Sequence, residues 1–238
     1  MSAPSLEQRL ACLDWPSIER QLDQDGSAVI GNLLSADECH ELSSLYPRSE
    51  WFRSRVVMAR HGFGRGEYQY FAYPLPQLVA ELRGQFYPRL VPLANRWNQL
   101  MNIPVQYPPR HEDFLQRCHA AGQQRPTPLL LQYGPQDYNC LHQDLYGDNV
   151  FPLQVAILLS RPGTDFSGGE FVITEQRPRM QSRPQVIDLK QGDALIFAVH
   201  HRPVPGVRGH YRVTLRHGVS RLHSGRRHTL GVIFHDAQ

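Results

Sequence analysis

The second half of the chain constrains the fold most strongly, because short apolar or alternating segments follow one another from residue 129 onward. Turn-forming residues separate these segments, as in Gly163-Thr164-Asp165. Many short strands with turn signals between them are typical of an all-β sandwich or jelly roll. The predicted strands cover residues 129–133, 153–159, 170–174, 185–189, 194–199, 211–215 and 229–234.

The N-terminal part is predicted to be mainly helical. Apolar residues recur at helical spacing over residues 5–24, and Pro16 interrupts them between two short segments. Residues 28–30 are suited to a short strand. Ser35, with Glu38 three residues later, fits the capping box that begins a further helix.

A longer helix is predicted over residues 78–101, where Pro88 and Pro92 should bend or split it. Residues 104–128 are rich in proline, polar and charged residues, which favours a loop or irregular bridge. We therefore expect an α+β, mainly β chain that forms one structural unit. Residues 1–128 would be the N-terminal helical support and bridging region, and residues 129–238 the β-rich core.

The composition excludes few functions. No apolar run is long enough to cross a bilayer and no signal pattern opens the chain, so we expect a cytoplasmic location and no membrane partner. The net charge is only +3, but Lys190 is the only lysine among 25 basic residues. The preference for arginine over lysine has two alternative explanations. One is codon bias, and the other is recognition of carboxylates or phosphates by planar guanidinium groups. Composition does not separate the two.

A His-X-Asp pair, His142 and Asp144, follows a predicted strand and turn. On an extended backbone both side chains lie on one face, because strand side chains alternate. An imidazole and a carboxylate are two ligands of the facial triad that leaves positions on iron(II) open for a keto acid and O2. The pair alone is common by chance, so a third, distant histidine is required.

Seven histidines lie between positions 200 and 235, and His217 is the one followed ten residues later by an arginine that opens a strand, Arg227. A tight turn at Ser224-Gly225 is expected to join two strands and to place His217 and Arg227 side by side in one pocket. A co-substrate carboxylate in an apolar barrel has to be paired, because an unpaired buried charge is costly. A guanidinium pairs it through two parallel hydrogen bonds.

These motifs resemble, in their order, those of the prolyl-hydroxylase-like Fe(II)- and 2-oxoglutarate-dependent dioxygenases, over about residues 129–236. The motifs are His142-X-Asp144, Gly168-Gly169-Glu170-Phe171, Gly192-Asp193-Ala194-Leu195-Ile196-Phe197, His217 and Gly225-X-Arg227-X-X-Leu230. The resemblance implies a double-stranded β-helix, the cupin-like jelly roll. It also implies that His142, Asp144 and His217 are the iron ligands and catalytic centre.

For the co-substrate, the resemblance implies that Arg227 pairs with the distal carboxylate of 2-oxoglutarate, while O2 is the second co-substrate. Arg226 is an alternative, but the family spacing and the inward register of Arg227, Thr229 and residues 231 and 233 favour Arg227. Tyr133, nine residues before His142, matches a position where such enzymes place a tyrosine that contacts the co-substrate.

The substrate stays open between a nucleic-acid base and a peptide. The run Cys-Leu-His-Gln-Asp-Leu-Tyr-Gly at residues 140–147 resembles a bacterial oxygenase group proposed to demethylate damaged nucleic-acid bases. The general motif fits a prolyl or other protein side-chain hydroxylase equally well. A non-catalytic cupin-like binding or sensing protein is the alternative from another class.

Three further segments have two interpretations each. The insertion at residues 198–216 is predicted to be a hairpin, either a basic lid that grips phosphates or an ordinary surface hairpin. The arginines of residues 177–183 either contact substrate or lie in an exposed loop. The aromatic residues of the segment 68–73 either stack on a flipped base or pack in the core.

Overall fold

The computed structural model describes residues 4–238, which form five α-helices and fifteen β-strands. The helices are α1 (Leu6–Ala11), α2 (Trp15–Asp25), α3 (Ala36–Ser44), α4 (Gln77–Leu100) and α5 (His111–Ala120). The strands are β1 (Ser27–Ile30), β2 (Phe52–Val57), β3 (Gly64–Arg65), β4 (Glu67–Phe71), β5 (Leu129–Tyr133), β6 (Tyr138–His142), β7 (Leu153–Leu158), β8 (Phe166–Gly168), β9 (Phe171–Gln176), β10 (Arg183–Ile187), β11 (Ala194–Ala198), β12 (His201–Gly206), β13 (Gly209–Val219), β14 (Leu222–Gly225) and β15 (Arg227–Val232).

Two antiparallel sheets enclose a cavity, which has lining residues from both. The larger sheet has the strand order β1-β11-β7-β15-β5-β4-β2, and the smaller has the order β10-β9-β13-β6-β3 with β12 attached to β13. Strands β14 and β8 form a separate ribbon. Strands were predicted in each of the seven places named above, and the structure has one in each.

The core lies around the larger sheet. Strands β7 and β11 are buried along their whole length, as expected for central strands covered on both faces. Helix α4 packs against β15 and α1, and it buries Phe86 and Trp97 completely. The helices thus close the larger sheet from outside and leave its inner face to the cavity. Among the described residues, no helix combines the length and apolar character that a membrane span requires.

One prediction for the N-terminal part was wrong, and another was narrowed. Of the two predicted effects of Pro88 and Pro92, a split is excluded because helix α4 continues through both, while a bend stays a prediction. The long buried face of α4 offsets the hydrogen bonds that the two prolines remove. The segment 104–128 is not only a bridge, because it contains α5. Buried Phe114 and Cys118 stabilise this helix, and acidic residues occupy its first turn.

The N-terminal part also supplies four strands. Strand β1 pairs with β11, β4 pairs with β5, and β3 pairs with β6. Helices α1 and α3 begin with the capping boxes of Ser5 and Ser35, the second of which was predicted. The division of the chain at residue 128 stays a prediction, and the two parts share both sheets.

Candidate metal centre and co-substrate pocket

Three candidate ligands lie together in the wall of the cavity between the two sheets. His142 ends β6 and stands opposite His217 of β13 in the strand register, while Asp144 follows two residues after His142. The Nε2 atom of His142 lies 3.5 Å from Oδ1 of Asp144, and Nε2 of His217 lies 3.4 Å from Oδ2. One ligand atom from each side chain lies within 4.8 Å of the others. Two imidazoles and a carboxylate in this arrangement can hold one metal ion.

Burial and neighbouring groups shift the pKa of each candidate ligand. Burial opposes the ionisation of Asp144, but hydrogen bonds to the two histidines hold its pKa well below the usual value. Burial lowers the pKa of His217, and the nearby His142 adds to this effect. The carboxylate is therefore charged and the His217 ring neutral near pH 7. Burial opposes protonation of His142, but its contacts with Asp144 raise its pKa, so metal binding competes with a proton on that ring.

Residues around the ligands fix their orientation. Tyr146 donates its hydroxyl to Oδ1 of Asp144 at 2.8 Å, and Gln154 donates its amide to Oδ2 at 2.7 Å. Nδ1 of His142 lies 2.8 Å from the carbonyl oxygen of Cys140. Neither Tyr146 nor Gln154 was predicted to belong to the site. A glutamine inside the apolar strand β7 was the available signal, because a buried amide needs a polar partner.

The cavity has a volume of about 220 Å³ and walls that are mainly apolar. Leu131, Val155, Phe171 and Phe197 are among the residues that line it. Its polar lining residues beyond the three candidate ligands include Tyr133, Thr229 and Arg227. A small ligand with one polar end is therefore better suited to it than a fully polar one.

Arg227 is a buried cation that forms no ion pair among the described residues, although the charge of Glu170 acts on it from a distance. Its side chain is only 2% exposed, and burial lowers its pKa to about 10. Nη1 donates to Oγ1 of Thr229 at 2.6 Å, but Nε has no partner. The buried hydroxyl of Tyr133 also lacks one, and its ring lies 5.7 Å from the guanidinium carbon. Unpaired buried donors of this kind suit an anionic ligand such as a carboxylate.

Arg227 reaches the cavity by a different route from the one predicted. The expected hairpin between the strands of His217 and Arg227 is wrong, because β13 belongs to the smaller sheet and β15 to the larger. The residues between them form β14, which pairs with β8. The two side chains line one cavity from opposite sheets. Arg226 is exposed, whereas Arg227, Thr229 and Gly231 line the cavity.

The predicted hairpin at residues 198–216 exists as β12 and β13, but none of these residues lines the cavity. Arg202 is buried, forms an ion pair with Glu175 and donates to the carbonyl oxygen of Asp23 at 2.7 Å. Arg212 donates to the carbonyl oxygen of Met101 at 2.6 Å. Two of its arginines therefore attach the hairpin to the helical layer.

The structure also places the other two segments for which two interpretations were given. Arg177 pairs with Glu175, with 3.0 Å between Nε and Oε1, and the 177–183 segment does not line the cavity. In the aromatic segment, Tyr70 and Phe71 are buried, and Tyr68 is the one that lines the cavity.

Comparisons with known proteins identify the family of the chain. A family model with the description "Oxygenase, catalysing oxidative methylation of damaged DNA" matches residues 66–237. Uncharacterized proteins from two strains of Mycobacterium tuberculosis are each 48% identical over 167 residues, which is 70% of this chain and 72% of theirs.

Solved structures of oxygenases share the fold. An oxidoreductase of the 2OG-Fe(II) oxygenase family from Burkholderia pseudomallei has a TM-score of 0.57 at 15% identity, over 95% of this chain and 94% of its own. A prolyl-4-hydroxylase from Pseudomonas putida has a TM-score of 0.53 at 14% identity, over 91% and 96%. The expected double-stranded β-helix is confirmed.

Proposed function

The chain belongs to the oxygenase family whose description names damaged DNA, and on that premise we propose that it is an iron(II)- and 2-oxoglutarate-dependent dioxygenase. The reaction would hydroxylate a C–H bond and release succinate and carbon dioxide. One observation carries this proposal. Two histidines and an aspartate meet in the same cavity as a buried arginine that forms no ion pair with any described residue and has an unpaired Nε.

His142, Asp144 and His217 would hold the iron. Their nitrogen and oxygen donors match the set that non-haem iron(II) oxygenases use, and three protein ligands leave positions for 2-oxoglutarate and O2. Bound iron supplies the oxidation of the C–H bond, coupled to decarboxylation of the keto acid. Tyr146 and Gln154 would keep both carboxylate oxygens of Asp144 in place, because each oxygen accepts one hydrogen bond.

Arg227, Tyr133 and Thr229 would bind the distal carboxylate of 2-oxoglutarate. The guanidinium has an unpaired Nε and the tyrosine an unpaired hydroxyl, so both have donors to offer. The oxygen of Thr229 already accepts from Arg227 and so fixes the guanidinium plane. The apolar walls exclude water, which strengthens this charge pairing.

The finer proposal is oxidative removal of a methyl group from a damaged base. The family description supports a nucleic-acid substrate over a protein side chain. Hydroxylation of a methyl carbon attached to nitrogen gives a product that breaks down to formaldehyde and the demethylated nitrogen. Formaldehyde is therefore expected alongside succinate only if the hydroxylated carbon is attached to nitrogen.

A succinate assay tests the proposal. Protein supplied with iron(II), O2 and 2-oxoglutarate should release succinate, and N-methylated oligonucleotides should increase the rate and yield formaldehyde. His217→Ala should abolish the reaction, whereas His210→Ala, at an exposed position of the β12–β13 hairpin, should not. Stimulation by prolyl peptides alone would support a protein hydroxylase. No succinate from folded protein under any condition would support a binding or sensing protein.

A further inference from the structure

Phe63 is an exposed aromatic residue at the wall of the candidate active site. Its side chain is 48% exposed, yet it lines the cavity that contains His142, Asp144 and His217. The ring is therefore accessible to solvent and to a ligand entering the cavity. Nothing in the oxygenase chemistry described above uses it.

The backbone holds Phe63 next to a candidate ligand. Its carbonyl oxygen accepts a hydrogen bond from the backbone N–H of Cys140 at 2.9 Å. The carbonyl oxygen of Cys140 in turn lies 2.8 Å from Nδ1 of His142. Residue 65 of β3 continues this pairing opposite Tyr138 of β6. The position of Phe63 is thus tied to the strand that carries His142.

Two glycines allow this close approach. Gly64 and Gly66 have φ values of 124° and 114°, which L side chains rarely adopt. A Cβ at Gly64 would collide with the carbonyl oxygen of Tyr138, and one at Gly66 would lie 2.8 Å from Cδ1 of Tyr133. The segment of residues 60–66, which we call the 60–66 loop, is therefore built to lie flat against the cavity wall.

The 60–66 loop is also basic. Arg60, His61 and Arg65 are exposed, and the loop contains no acidic residue. Neither arginine forms an ion pair with any residue in the described part of the chain. The ring of His61 stacks on that of Phe63, with 5.4 Å between centroids and 24° between planes. An exposed aromatic ring with exposed arginines on both sides of it in the chain is a combination suited to single-stranded nucleic acid.

We propose that the 60–66 loop is the contact surface for an unpaired nucleic-acid strand. Phe63 stacks on the base that enters the cavity or on its neighbour, and Arg60 and Arg65 contact the adjoining phosphates. This inference rests on the proposed function, and it assigns binding of the substrate strand to this loop. Residues 198–216, which were predicted to be a hairpin that could take that role, do not line the cavity.

Fluorescence anisotropy with a labelled single-stranded DNA oligonucleotide tests the stacking part. Phe63→Ala should weaken binding about tenfold, a change equivalent to about 1.4 kcal/mol. Phe63→Leu keeps the apolar volume but has no aromatic face, so it should weaken binding similarly. Phe63→Trp should bind at least as well as wild type. Equal affinity of all four proteins would overturn the stacking role.

The salt dependence of the same binding tests the charge part. Replacing Arg60 and Arg65 together by alanine should reduce the slope of log affinity against log salt by about 1.4, which is about 0.7 for each lost phosphate contact. Arg208→Ala, at the exposed turn of the β12–β13 hairpin, is the matched control and should leave the slope unchanged. A reduced slope in Arg208→Ala alone would assign the phosphate contact to the hairpin and overturn the proposal.

Succinate release and oligonucleotide binding together distinguish failure of this inference from failure of the proposed function. Wild-type protein that releases succinate from 2-oxoglutarate but does not bind the oligonucleotide would refute the 60–66 loop as a nucleic-acid contact and leave the oxygenase intact. Wild-type protein that binds the oligonucleotide through the loop but never releases succinate would support the contact and refute the oxygenase.

Discussion

Replacing Arg227 by methionine should have opposite effects on stability and on co-substrate binding. The arginine is 2% exposed, and burial lowers its pKa from the usual value to about 10. That change corresponds to a cost of about 3 kcal/mol for keeping the buried group charged. Methionine removes this cost but also removes the hydrogen bond to Thr229, worth about 1 kcal/mol. We expect the ligand-free variant to be as stable as wild type, or more stable by up to about 2 kcal/mol.

The same substitution should sharply weaken 2-oxoglutarate binding. Losing one partner of a buried, hydrogen-bonded charge pair costs about 2–5 kcal/mol. The dissociation constant for 2-oxoglutarate should therefore rise at least about 30-fold. Calorimetric titration of manganese-loaded protein, which binds the co-substrate without turnover, measures this constant. Urea unfolding of the metal-free protein measures the stability.

Arg226→Met is the matched control, because the neighbouring arginine is exposed and does not line the cavity. It should leave the affinity for 2-oxoglutarate within about threefold of wild type, a difference below about 1 kcal/mol. If Arg227→Met binds 2-oxoglutarate as wild type does, or if Arg226→Met shows the loss instead, Arg227 is not the carboxylate partner.

Two further predictions concern the metal ligands and acid stability. Tyr146→Phe removes the donor to Oδ1 of Asp144, so the affinity for manganese(II), measured by titration, should fall about tenfold; unchanged affinity would show that this hydrogen bond does not position the carboxylate. Burial, assisted by the Arg83 charge, lowers the pKa of both His111 and His235 to about 4. Their unfolded forms take up protons near pH 6.5, so stability is full above that pH and falls as the pH drops towards 4. Each histidine should reduce the free energy of unfolding by about 2 kcal/mol between pH 7 and pH 5, and equal urea midpoints at the two pH values would contradict this.

The sequence predicted which residues meet in the site better than it predicted how the strands bring them together. His142 and Asp144 could be paired from strand alternation, and the spacing to Arg227 selected His217 among seven histidines. The predicted hairpin between His217 and Arg227 failed because the turn residues around Gly225 pair with β8. Local turn signals indicate where the chain reverses, but the partner of a strand depends on the whole sheet.

Other features depended on tertiary contacts that a single sequence does not reveal. Helix α4 keeps its two prolines because its apolar face is buried along its length. Helix α5 was missed because its short apolar pattern lies among prolines and charged residues. Tyr146 and Gln154 belong to the site only because the fold brings both against Asp144. Phe63 likewise looks ordinary until β3 pairs with β6.

An anaerobic titration with iron(II) and 2-oxoglutarate tests the central claim most directly, namely that His142, Asp144 and His217 form one metal site beside Arg227. Wild-type protein should bind one iron(II) per chain, and adding 2-oxoglutarate should produce the visible absorption of an iron-chelated keto acid. His217→Ala should bind no iron at the same concentrations. Wild-type protein that binds no iron(II), or a His217→Ala variant with the same stoichiometry and absorption as wild type, would contradict the claim.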